Sequence, residues 1–127
     1  IEIKSFFAPN HTYDFNTFNA LKESGINEVI DGYGLMPYEE NEIKFIPQLF
    51  YKVYALPFGI QSTQIHLNYW KEEDFKTFEN FVEKNHEEII SYDDAIKKVN
   101  NKIEFKLLNS ITKNLLRAKR TFSNFKS

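Results

Sequence analysis

At 127 residues, 42% of them hydrophobic and 17% aromatic, the chain is the size of one domain and can bury a core, which excludes wholesale disorder. It has no cysteine, so disulfides, thiolate metal ligands and cysteine nucleophiles are excluded together. The net charge of −2 conceals a segregation: residues 1–96 carry 7 Lys or Arg against 17 Asp or Glu, and residues 97–127 carry 9 against 1.

No apolar run approaches the roughly 20 residues that span a bilayer. The 13 Phe and 7 Tyr are scattered along the chain and form no stacking platform, so nucleic acid is not an expected partner.

The first element is a short buried strand over residues 3–8, ended by Pro9, which lacks the ladder N–H and restricts the residue before it. Asn16 or Thr17 can cap a helix through Phe18, Ala20 and Leu21 that stops at Gly25. "INEVIDGYG" (26–34) follows as a strand running into a glycine-bearing loop. This strand, helix, strand unit of about 30 residues predicts an α/β fold with parallel strands.

In "KFIPQLFYKVYALPFG" (44–59), Pro47 and Pro57 argue for edge strands or extended loops over a central strand. "TQIHLNYW" (63–70) reads as a third short strand carrying His66. "KEEDFKTFENFVEKN" (71–85) predicts a helix: Phe75, Phe78, Phe81 and Val82 recur at helical spacing, and Glu72, Glu73 and Asp74 complement the N-terminal dipole. Ile89 and Ile90 give a brief strand, and Ser91 starts a short helix with Asp94 at the capping-box position. From Asn101 the chain is amphipathic, with Ile103, Leu107, Leu108, Ile111, Leu115, Ala118 and Phe122 at three- and four-residue steps among basic residues.

Candidate chemistry is sought where parallel strands end, because α/β folds place their sites there. Asn10, His11, Thr12 and Asp14 follow the first strand, Asp31 and Tyr33 the second, and His66, Asn68 and Tyr69 lie on or after the third. A histidine in such a place can exchange protons near neutral pH. Each has a plainer alternative: Asp14 as a helix cap, His11 as a surface loop residue, and His66 as a core histidine opposite Ile65 and Leu67. His86, beside Glu87 and Glu88, reads as solvated. Three histidines without close spacing do not form a zinc site, and there is no phosphate loop or nucleophile elbow.

Taken in order, "FFAPNHTYDFNTFNALKESGINEVIDG", "IHLNYW" and "NFVEKNHEEIISYDDAI" resemble the second half of a polysaccharide deacetylase domain, over about residues 3–98. The resemblance is to the branch lacking the arginine before the motif proline; Ala8 stands there. It implies part of a distorted (β/α) barrel over residues 1–98, with 99–127 as an extra basic amphipathic helical tail. It also implies metal-dependent hydrolysis of acetamido groups on sugars. Zinc or a similar divalent ion would lower the pKa of a bound water in the complete enzyme.

By the same resemblance His66 is the acid that protonates the leaving amine. Pro9, Asn10, His11, Asp14 and Asp31 line the carbohydrate groove. The family's metal-binding Asp and paired histidines have no counterpart here, so they are expected upstream of Ile1; His11 is the one candidate ligand in this chain. A missing N-terminal half or a second copy is the expected partner for the open sheet edges. The cationic tail reads as a solvated face of a packed helix, or as a contact for an anionic membrane surface. The alternative from another class is a non-catalytic α/β binding or scaffolding module in which the histidines are structural.

Overall fold

A computed structural model describes residues 2–124, without the side chains of Asn10, Arg117 and residues 119–124. Four strands form one sheet: β1 (Ser5–Phe6), β2 (Glu28–Ile30), β3 (Tyr38–Glu40) and β4 (Ile43–Ile46), in the spatial order β1-β2-β4-β3. β1, β2 and β4 are parallel, with Phe6 opposite Val29 and Val29 opposite Phe45; β3 is antiparallel to β4. Four helices accompany them: α1 (Phe15–Glu23), α2 (Glu72–Asn85), α3 (Tyr92–Lys97) and α4 (Ile103–Asn124). The fold is mixed α/β.

Strand alternation assigns the two faces. Val29, Ile43 and Phe45 are buried on one face with Leu21 of α1, and Phe6, Phe18, Ile26 and Tyr38 pack around them. Phe45 stacks on Tyr38 at 4.9 Å and meets the edge of Phe18 at 5.8 Å, geometries that aromatic pairs prefer. Glu28, on the opposite face, accepts from the Tyr92 hydroxyl of α3 at 3.1 Å. Ile46 on that face lines a cavity of about 420 Å³ with Phe78, Phe81 and Val82 of α2 and Ala95 of α3.

The helices start where side chains can satisfy their first amides. At α1 the cap is Asp14, the plainer reading of that residue, and neither Asn16 nor Thr17: its Oδ1 accepts from Thr17 N–H at 2.9 Å, and Thr17 Oγ1 accepts in return from Asp14 N–H. At α2 Asp74 reaches back to Lys71 N–H at 2.8 Å. At α3 Ser91 Oγ accepts from Asp94 N–H, as its spacing predicts.

Three expectations are corrected. β4 is an interior strand in spite of Pro47, because that proline falls one residue beyond the strand, where no ladder donor is lost. β3 and β4 join through Asn41 and Glu42, both at positive φ (53° and 64°), the two-residue turn whose twist suits a hairpin. Residues 63–70 form no strand among the described residues. They make one parallel bridge, Thr63 to Phe50, and then a 3₁₀ turn at Leu67–Tyr69. Ile89 and Ile90 are likewise outside the sheet and exposed.

α4 is fastened to the loop after β2 by one side chain. Asn109, 8% exposed, accepts from Leu35 N–H at 2.9 Å and Met36 N–H at 3.3 Å, and donates to Met36 O at 3.1 Å. Gly34 lies against it, and a Cβ there would sit 2.9 Å from the Asn109 carboxamide. Asn109→Ala is therefore expected to cost about 2 kcal/mol, because it leaves buried loop amides unpaired. Gly34→Ala should act in the same direction. Urea denaturation with an unchanged slope checks both.

Candidate functional site at the ends of the parallel strands

Each parallel strand delivers one polar side chain just beyond its carboxyl end. After β1, Phe7 and the fully buried Ala8 lead into a 3₁₀ turn, Pro9–His11, in which Pro9 occupies the first turn and His11 N–H bonds Ala8 O. His11 closes the turn at φ 55°, in the left-handed region that few non-glycine residues visit. Asp31 follows β2, with its N–H continuing the ladder to Ile46 O at 3.1 Å. Gln48 follows β4 and Pro47, its N–H on Gly32 O at 3.3 Å.

The centre of the site is the contact between His11 Nδ1 and Asp31 Oδ2 at 2.9 Å. Asp31 is 4% exposed, and its other oxygen accepts from Gly32 N–H at 2.6 Å. Gly32 sits at φ 102° with the Tyr38 hydroxyl where a Cβ would stand, so a larger residue would break this turn. An ionised carboxylate can only accept, so His11 donates to it from Nδ1, which leaves Nε2 as the ring nitrogen that Asp31 does not engage.

The edges of Phe7 and Tyr51 bracket the His11 ring, each with centroids 5.7 Å away. His11, Asp31, Gln48, Tyr33, Phe50 and Tyr51 line a small pocket of about 20 Å³. Two tyrosines outside the pocket lining feel the same buried charge: burial, helped by the Asp31 charge, pushes the Tyr13 hydroxyl up to about 12, and Tyr38 is raised mainly by burial. Both remain hydrogen-bond donors at neutral pH.

Of the residues singled out in the sequence, His11 and Asp31 come together here. Pro9 is exposed on the turn that presents His11; the Asn10 side chain lies outside the described residues. Asp14 is exposed and caps α1. His66 stands exposed at the start of the Leu67–Tyr69 turn, its ring edge-on to Tyr69 at 6.4 Å, and it is not part of the pocket lining. Gln48 and Tyr51 belong to the site without having been singled out. The strand-end rule finds Gln48 once residues 43–46 are read as an interior strand.

Among the described residues no three His, Asp or Glu side chains converge as metal ligands. The His11–Asp31 pair offers one free imidazole nitrogen and a carboxylate already engaged to the same ring, so these residues do not by themselves fit a metal centre.

The capping role of Asp14 has a pH signature. Hydrogen bonds from Thr17, backbone first and hydroxyl second, hold its carboxyl below the ordinary 3.8. A folded value below the unfolded one means that the stabilisation is present above the ordinary carboxylate range and lost as pH falls through the lowered value. Asp14→Ala should thus lower Tm by a few degrees at pH 7. The gap from the parent should close toward pH 2 in thermal melts.

No family model, curated protein or solved structure matches this chain at a significant level.

Proposed function

We propose that the chain is the C-terminal portion of a metal-dependent carbohydrate N-deacetylase, hydrolysing acetamido groups on polysaccharides or oligosaccharides. The observation that supports this most is the convergence of His11, Asp31 and Gln48 at the ends of three parallel strands. There a polar floor is rimmed by Phe50 and Tyr51, as a sugar groove requires.

In this reading Asp31 fixes the imidazole tautomer, and His11 Nε2 accepts or donates a hydrogen bond to a sugar substituent. Pro9, Asn10 and Asp14 belong to the loop that flanks the groove. His66 protonates the departing amine, a role carried by the order of motifs around it. A zinc-like ion would supply Lewis-acid chemistry, with ligands from outside this chain. The complete domain would be a (β/α) barrel whose remaining strands, or a second copy, join the open β1 edge.

The second reading, a non-catalytic binding or scaffolding module, is favoured by one observation: His11 is already bonded to Asp31, while His66 stays outside their pocket. Both readings face the same experiment. In the complete protein that carries this chain, His66→Ala should cut acetate release from an acetylated chito-oligosaccharide by about 10²-fold or more, with an unchanged circular dichroism spectrum. Retained activity would remove His66 from the mechanism. No acetate release from the parent protein would favour the module.

The tail carries a separate proposal. α4 leaves Ile103, Leu107, Ile111 and Leu115 exposed at four-residue steps, with Lys102 and Lys106 between or beside them. This is the composition of a helix that rests on an anionic membrane surface. Lys102→Ala and Ile111→Ala should each weaken co-sedimentation with phosphatidylserine vesicles about fivefold. Binding that ignores both changes rejects the membrane contact.

A further inference from the structure

We propose that Gln48 is a ligand-binding residue, its side-chain amide donating to an oxygen of the small substituent seated beside His11 and Asp31. This rests on the deacetylase reading, in which that oxygen is the acetamido carbonyl.

Gln48 is 7% exposed, and among the described residues its Nε2 is buried with no acceptor in reach. Folded proteins pair nearly all such donors, because a buried unpaired one costs free energy that nothing local returns. The vacancy in its bonding does not come from a loose backbone. Gln48 N–H is bonded to Gly32 O, and Leu49 N–H to Gln61 Oε1 at 3.2 Å. On the other side, Pro47 O accepts from both the amide and the hydroxyl of Ser62, at 2.8 and 3.0 Å. A segment held this firmly presents the Gln48 side chain to the His11 pocket without yielding it a partner.

The pocket sets the chemistry of what completes the bond. A space of about 20 Å³ admits a group near the size of one water. The group must accept from Gln48 and tolerate His11 Nε2 and a buried carboxylate nearby. A carbonyl oxygen on a larger body held outside meets these demands, and the Tyr51 and Phe50 rings offer apolar contact to an adjoining methyl. An N-acetyl group has both parts. A free amine has neither, so Gln48 would distinguish substrate from deacetylated product.

The test uses the complete protein that carries this chain, ¹⁵N-labelled, with the Gln48 side-chain NH₂ resonances followed by two-dimensional NMR. The probes are the β-1,4 tetramer of N-acetylglucosamine and the same tetramer without acetyl groups, both at millimolar concentration. The Gln48 NH₂ resonances should move with the acetylated tetramer only. Gln48→Met should weaken that binding about tenfold while leaving Tm unchanged or raised, since it removes an unpaired buried donor.

Unchanged affinity in Gln48→Met, with the parent still binding, overturns the inference and leaves the sugar reading standing. A Tm lowered by several degrees overturns it too, because Gln48 is then bonded internally, to water or protein. Equal response to both tetramers overturns the assignment to the acetyl group. No response to either tetramer anywhere in the spectrum defeats the sugar reading and this inference with it.

Discussion

The site is organised by a carboxylate that has been taken out of water. Asp31 is almost wholly buried, and a buried charge has to be met by donors. It finds two, and each dictates something further. The Gly32 amide can turn back to Oδ1 only where the backbone reaches φ 102° and no Cβ contests the Tyr38 hydroxyl. The His11 ring reaches Oδ2 through a 3₁₀ turn that ends in the left-handed region. Strain of that kind persists where the surroundings over-determine it. Here Asp31, Phe7 and Tyr51 do so. The ends of β1 and β2 are thereby tied together, and the Gln48 amide, bonded to the Gly32 carbonyl, adds the end of β4.

The charge segregation along the sequence also has a place in the fold. β3 is an edge strand and carries Glu39 and Glu40, as exposed edges often carry charge that discourages further pairing. Across a cleft of about 330 Å³ from them stand Lys106 and Lys113 of α4. Glu39 and Glu40 of the body and Lys106 and Lys113 of α4 therefore line one cleft, while the neutral Asn109 fixes α4 to the loop after β2. This division suits the physics: screened charges attract weakly and tolerate misalignment, whereas a buried amide with three bonds does not.

What could be read from the sequence follows the range of the interactions involved. The cap at Ser91, the acidic start of α2 and the long amphipathic α4 are set by residues within four positions of one another, and all are present, while the α1 cap falls on Asp14 instead of Asn16 or Thr17. The order of the β1, α1, β2 unit shows through, although β1 is only Ser5–Phe6 and half-buried, and Ile3 of the expected buried strand over residues 3–8 is exposed. β4 was obscured by Pro47, whose effect depends on whether it falls inside or just after the strand. The β3–β4 turn was obscured by Glu42, which holds a positive φ usually given to glycine. The site divides in the same way. His11 and Asp31 follow recognisable strands. Gln48 follows the unrecognised one, and Asn109 acts across more than seventy residues, where no local pattern reports it.

The two edges of the sheet differ in what they permit. β3 runs against β4, so no parallel strand can be added beside β4 without displacing it, and residues 63–70, the expected third strand, lie elsewhere. β1 is parallel to β2, and its outer side carries no strand among the described residues. Its two residues are too few to make it a strong template for chance pairing, yet they have the correct direction. Any continuation toward a parallel barrel must therefore pass through β1. The strand that joined there would end beside Pro9–His11, placing whatever polar groups followed it next to the His11–Asp31 pair. Of the two edges, then, only the β1 side could bring a further parallel strand end beside the His11–Asp31 pair.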